Sequence, residues 1–219
     1  MLKSSQTRKR PLAGGKKPLA HRKHLAKGKQ TVVKKGSNEL RIIGGQWRGR
    51  KLKFPDGEGL RPTMDRVRET LFNWLQADIA DARCLDLFSG SGALGFEALS
   101  RSAAQVIMVD KNLQAIKMIR SNLALLKVDN AQAVYMDAAA YLQQKNIGPF
   151  DIVFLDPPFN KHLVEKFCQL LHQSNCLSEQ AVIYIEMEKN TPLPQLPKQW
   201  HIVKNKTAGQ LAYYLITTS

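Results

Sequence analysis

The sequence predicts an α/β domain with a mostly parallel sheet, helices on both faces and a terminal antiparallel strand pair. A small N-terminal hairpin-and-helix extension precedes it. Three observations carry this expectation. From residue 83 onward, short apolar runs alternate with helix-length amphipathic segments. Phe150-Asp151-Ile152-Val153-Phe154-Leu155 is mostly apolar, β-branched and aromatic, the composition of a buried parallel strand. That run stops at Asp156-Pro157-Pro158-Phe159, where two residues without N–H groups end any sheet ladder.

Residues 1–37 consist largely of Lys, Arg, Gly, Ser and Pro. They hold too little apolar surface to offset ordering entropy, so a disordered basic tail is expected. Leu40, Ile42 and Ile43, then Leu52 and Phe54, flank a Gly-rich basic centre, Gly44 to Lys51. That pattern suggests a hairpin or a pair of short strands. Pro55 to Pro62 reads as a linker, so 38–62 forms the N-terminal extension and 63–219 the α/β domain. A helix is expected over 63–75, with Thr63 as N-cap. Met64, Val67, Leu71, Trp74 and Leu75 fall on its apolar face; Asp65, Arg68 and Glu69 fall opposite. Strands are then expected at 83–88, 104–110, 132–136, 150–155, 181–187, 200–206 and 211–217. Helices are expected at 92–101, 112–127, 138–145 and 161–173.

The net charge of +15 is unevenly placed. Residues 1–40 carry twelve Lys or Arg against one acid, and residues 41–68 carry eight against three. The remainder carries thirteen against fourteen. A basic front end on a neutral domain is the footprint of phosphate-backbone binding. Arg48, Arg50, Lys51, Lys53 and Arg61 are the candidate phosphate contacts. Trp47 is placed either to stack on a base or to pack beneath the hairpin. No run of 18 apolar residues and no apolar signal core is present, so no membrane partner and a cytoplasmic location are expected. Cys84, Cys168 and Cys176 form no C-x-x-C pair and read as reduced thiols. The five histidines are scattered, so no metal is expected, and a monomer is the simplest assembly.

The first strand of the domain runs through Asp86 to Ser89 into Gly90-Ser91-Gly92-Ala93-Leu94-Gly95. Such a G-x-G-x-x-G loop fits either a dinucleotide or S-adenosylmethionine. Asp86 lies before the first glycine, and Asp110, Asp137 and Asp156 end the next three strands. Acids at successive strand ends repel a diphosphate and suit a cationic cofactor, which favours S-adenosylmethionine. Each acid taken singly could instead cap a helix. The Asp156 turn offers a carboxylate, a directed Pro157 carbonyl and the Phe159 ring. Together they suit a planar base with an exocyclic amine.

These strings resemble class I S-adenosylmethionine-dependent methyltransferases with a D-P-P-F motif. Arg41-Ile42-Ile43-Gly44-Gly45, Trp47-Arg48-Gly49-Arg50, Arg61-Pro62-Thr63, Asp65-Arg66-Val67-Arg68-Glu69, Leu71-Phe72-Asn73 and Ala208-Gly209-Gln210 carry a closer likeness. They resemble the bacterial 16S ribosomal RNA guanine-N2 methyltransferase family, over about residues 38 to 217. The resemblance implies a Rossmann-like seven-stranded fold and methyl transfer to a guanine N2 in 16S ribosomal RNA or an assembling small subunit. It implies that Ser89, Gly90, Ser91 and Gly92 pass beneath the cofactor, with Asp86 near its amino group and Asp110 on the ribose. Asp137 and Ala138 would meet adenine, and Thr63 and Arg66 would close over the carboxylate end. Asp156 and Pro157 would accept from the guanine amine, and Phe159 would stack on the base. Three other readings stay open: an NAD-dependent oxidoreductase, an adenine or cytosine amino-methyltransferase, and a non-catalytic RNA-binding scaffold.

Overall fold

A computed structural model of the chain describes residues 38–54, 63–159 and 163–218. The basic tail 1–37, the linker 55–62 with Arg61, and residues 160–162 lie outside the described residues. Strands β1 (Asn38–Arg41) and β2 (Lys51–Phe54) pair as an antiparallel hairpin, and α1 (Asp65–Trp74) follows. The chain then alternates through β3 (Arg83–Asp86), α2 (Ala93–Ser100), β4 (Gln105–Asp110), α3 (Leu113–Leu126) and β5 (Ala131–Tyr135). It continues through α4 (Ala138–Leu142), β6 (Phe150–Leu155), α5 (Leu163–Gln173) and β7 (Leu177–Glu188), and ends in β8 (His201–Ala208) and β9 (Leu211–Thr217).

The large sheet has seven strands in the order β5-β4-β3-β6-β7-β9-β8. Strands β3 to β7 pair in parallel, and β9 runs antiparallel to both neighbours. The terminal pair is therefore more than an appended hairpin, because β9 slots between β7 and β8. Composition explains the order. Leu211, Ala212, Tyr213, Leu215 and Ile216 are buried, whereas β8 exposes His201, Lys204 and Lys206. The apolar strand takes the inner place, and the lysine-bearing strand forms an edge that resists further pairing.

Alternation along each strand feeds two core layers. On one face Cys84, Phe154 and Tyr184 meet Leu71 and Phe72 of α1, Phe96 of α2 and Ile119 of α3. On the other, Leu85, Val153 and Ile183 meet Tyr141 of α4 and Phe167 and Leu171 of α5. The chain leaves β3 toward β4 and β5, then returns to β6 on the other side. A crevice opens at the carboxyl ends of β3 and β6, where such a sheet binds its ligands. The three cysteines are buried and free, as expected of reduced thiols.

Helix α1 departs from its expected design. It starts at Asp65, and Met64 occupies the N-cap position without a side-chain cap. Met64 is 46% exposed, while Phe72 is fully buried. Arg68, expected on the solvent face, is wholly buried. Its guanidinium donates to the Thr63 and Arg41 carbonyls and to Asp65, and lies 3.5 Å from the equally buried Glu97 of α2. Glu97 also accepts from Ile43 N and Arg101 Nε, at 3.0 and 2.8 Å. A helical wheel assumes one covered face, but the hairpin and α2 cover α1 from a second side.

The hairpin turn itself is seated on the end of α2. Ser100 donates to the Gly44 carbonyl and accepts from Trp47 N. Gly45, at φ +72°, lies so close to the Ser100 carbonyl that a Cβ would stand 1.8 Å from its oxygen. Trp47 is half-buried and packs against the core.

Candidate active site

Three carboxylates meet at the crevice. Asp86 ends β3, Asp156 follows β6, and Glu186 lies near the end of β7. The register pairs Asp86 with Phe154 and Leu155 with Ile185. By two-residue alternation Asp86, Asp156 and Glu186 continue the face of Cys84, Phe154 and Tyr184, the face covered by α1. Thr63, just before α1, places its hydroxyl 3.5 Å from Asp156 Oδ2. Thr63 does not cap the helix, and its hydroxyl lies at the site, where the resemblance put it.

This cluster strains against its own charge. Burial pushes Asp86 up to about 8, and the neighbouring Asp156 and Asp110 carboxylates push the same way. Burial pushes Asp156 up to about 7, opposed by the Thr63 hydroxyl. Burial, then Asp156, holds Glu186 well above the ordinary carboxylate range. Asp86 Oδ2 is buried and has no hydrogen-bond partner among the described residues. An anionic diphosphate would add to this repulsion, whereas a cationic ammonium group would relieve it and satisfy the oxygen. The residues present therefore fit the amino group of S-adenosylmethionine.

The sign of the pH dependence follows. With folded pKa values above the ordinary 3.8, the native state holds more protons than the unfolded chain. The stability contributed by these groups is full below the ordinary value and is lost as pH rises through 7 to 8. Urea midpoints of the ligand-free protein are expected to fall between about pH 5 and about pH 8.5. Asp86→Asn should flatten that fall; an unchanged slope would contradict the assignment.

The glycine loop is held from below. Ser89 donates to the Val109 carbonyl through N and Oγ, and Gly90 N donates to Asp110 Oδ2 at 2.8 Å. Asp110 Oδ1 accepts from Asn112 N at 2.7 Å. Each Asp110 oxygen keeps further acceptor capacity beyond these bonds. Ser91 is buried. Gly92 is the N-cap of α2 at φ +80°, and a Cβ there would stand 2.7 Å from the Phe96 ring. Gly92→Ala is expected to cost about 1–3 kcal/mol, read as a lower urea midpoint with the m-value unchanged.

The remaining expected residues are more dispersed. Asp137 is exposed and caps α4, accepting from Ala139 N and Ala140 N through Oδ1, with Ala138 buried beside it. Arg66 is exposed on α1. Pro157 is buried, and Phe159 is 47% exposed at the crevice mouth. Arg48, Arg50 and Lys53 are exposed on the hairpin, and Lys51 pairs with Glu39 at 2.8 Å. Glu97, Arg68 and Glu186 escaped prediction as site or support residues. The available signal was a lone acid inside an apolar run, in Gly95-Phe96-Glu97-Ala98-Leu99 and in Tyr184-Ile185-Glu186-Met187.

Among the described residues, no helix is long and apolar enough to cross a membrane. None of their His, Cys, Asp and Glu side chains gather in threes with metal-holding geometry.

The strand order, the single reversed strand β9 and the glycine loop after β3 define a Rossmann-like class I methyltransferase fold. Residues 40–217 match the family model described as Conserved hypothetical protein 95. The Ribosomal RNA small subunit methyltransferase D of Escherichia coli (strain K12) is 52% identical over 180 residues, 82% of this chain and 90% of that protein. Its namesake from Haemophilus influenzae is 47% identical over 189 residues, 85% of this chain and 96% of that protein. A solved Escherichia coli structure, yhhF, described as a candidate methyltransferase, superposes with a TM-score of 0.77 at 49% identity. It covers 82% of this chain and 98% of its own. The chain belongs to this family of small-subunit ribosomal RNA methyltransferases.

Proposed function

We propose that the chain transfers the methyl group of S-adenosylmethionine to the N2 amine of one guanine in 16S ribosomal RNA. The observation that carries this reading is one juxtaposition. The orphaned Asp86 Oδ2 and the Asp156-Pro157-Pro158-Phe159 turn share one end of the sheet, beneath Thr63. The names of the relatives and the exposed basic hairpin support ribosomal RNA as the substrate. The site of action is then the cytoplasm, on the RNA or an assembling small subunit, with the protein acting as a monomer.

S-adenosylmethionine, when bound, supplies a methyl group already activated by its sulfonium charge. Asp86 would hold its amino group, Gly90 to Gly92 would pass beneath it, and Asp110 would take the ribose. Asp137 and Ala138 would meet its adenine, and Thr63 and Arg66 would close the carboxylate end.

The base leaves its stack and Phe159 stacks on it. Asp156 and the Pro157 carbonyl accept the two amine hydrogens and turn the nitrogen lone pair out of the ring plane. Such positioning supplies on the order of 7–11 kcal/mol. As the N–C bond forms, the nitrogen becomes positive beside a carboxylate. Asp156, raised to about 7, is suited to take the released proton near neutral pH.

The test is transfer of labelled methyl to naked 16S ribosomal RNA and to small subunits, followed by nucleoside digestion. Label in N2-methylguanosine is expected. Label in methylated adenosine or cytidine would overturn the base. Absence of label with RNA binding intact would favour a non-catalytic scaffold.

A further inference from the structure

We infer that Glu186 accepts a hydrogen bond from the ring N1–H of the target guanine and so determines which base the site accepts. This rests on the guanine reading above. An Asp-Pro-Pro-Phe turn grips an exocyclic amine without regard to the ring that bears it. Guanine N2, adenine N6 and cytosine N4 all present the same two hydrogens. They differ beside the amine: guanine places a donor, N1–H, on its Watson–Crick edge, where adenine and cytosine place a bare acceptor nitrogen. A group that chooses guanine must therefore be an acceptor next to the amine grip.

Glu186 stands in that place. The β6–β7 register ends at Leu155 opposite Ile185, so Asp156 and Glu186 follow one residue further along neighbouring chains, close enough for their charges to interact. Glu186 is 3% exposed, and Tyr184 Oη donates to its Oε1 at 2.7 Å, which fixes the carboxylate on the strand. It borders an open cleft with Pro157, Phe159, Val164, Thr191 and Pro194. Among the described residues the lining includes three carboxylates and no Lys or Arg, so it suits an uncharged, donor-bearing ring rather than a phosphate.

The other two lining acids serve the wall. Glu165 accepts from Gln195 N, and Glu188 accepts from Thr191 Oγ1. Two adjacent carboxylates, Asp156 and Glu186, are relieved by a ligand that offers two donors side by side. The N1–H and N2–H of guanine are such a pair.

The test compares guanine with 2-aminopurine placed at the target position of 16S ribosomal RNA by splinted ligation. The analogue keeps the amine and lacks the N1–H. With 2,6-diaminopurine, which also lacks N1–H but fills the O6 position, the N1 contribution separates from that of O6. The wild-type protein is expected to prefer guanine over both analogues in kcat/KM by roughly 5- to 150-fold. Glu186→Gln, whose carboxamide can donate to a bare N1, should lower guanine turnover and narrow that preference to about threefold or less. Its affinity for S-adenosylhomocysteine should match wild type.

A variant that keeps the wild-type preference overturns the inference, as does a wild-type protein indifferent to the analogues. The second comparison needs no variant, so a folding defect in Glu186→Gln leaves it decisive. Label in adenosine or cytidine overturns the guanine reading and this inference together. Label in N2-methylguanosine with an unchanged preference overturns this inference alone.

Discussion

Asp156→Ala is expected to lower methyl-transfer kcat by about 10²–10³-fold or more while cofactor binding persists. The substitution removes one of the two acceptors that hold the amine and the carboxylate that faces its developing positive charge. Pro157 still fixes the backbone, so the turn keeps its shape and the loss falls on chemistry rather than on folding. Single-turnover rates with saturating RNA, set beside S-adenosylhomocysteine affinity from calorimetry, separate the two. Asp156→Asn is the informative companion. It keeps a carbonyl acceptor and loses the titrating group, so more activity should survive, without the acid limb near the wild-type value of about 7. Wild-type turnover in Asp156→Ala would sink the mechanism.

Glu97→Ala is expected to destabilise the fold by about 3–5 kcal/mol, a large share of a typical total. Glu97 and Arg68 are both fully buried. Removing the carboxylate leaves the Arg68 guanidinium without its buried counter-charge and deprives Ile43 N and Arg101 Nε of their acceptor. The damage reaches the site, because Arg68 also anchors the Thr63 carbonyl and Thr63 touches Asp156. Glu97→Gln should cost less, since its amide oxygen can still accept from Ile43 N. Urea unfolding of the three proteins is the measurement. A Glu97→Ala midpoint within about 1 kcal/mol of wild type would place this network with weak surface pairs.

The sequence by itself determined the alternation of strands and helices, the glycine loop at Gly90 to Gly92 and the acids at the strand ends. Those features are local. Periodicity records which face of an element is apolar, and Gly and Pro record where the backbone must turn. The expected strand at 150–155 and the turn after it are the observed ones for that reason. The tertiary structure alone decided what the buried polar groups do. Arg68 read as solvent-facing because its partners, the Arg41 carbonyl and Glu97, lie 27 and 29 residues away. The helix pattern reads Thr63 as a cap, and only the family resemblance puts it at the site, because its acceptor, Asp156, is 93 residues distant. Glu186 passed as one acid in a strand until the register set it beside Asp156. A buried charge or hydroxyl is stable only with a partner, and partners brought from distant parts of a chain leave no period in it.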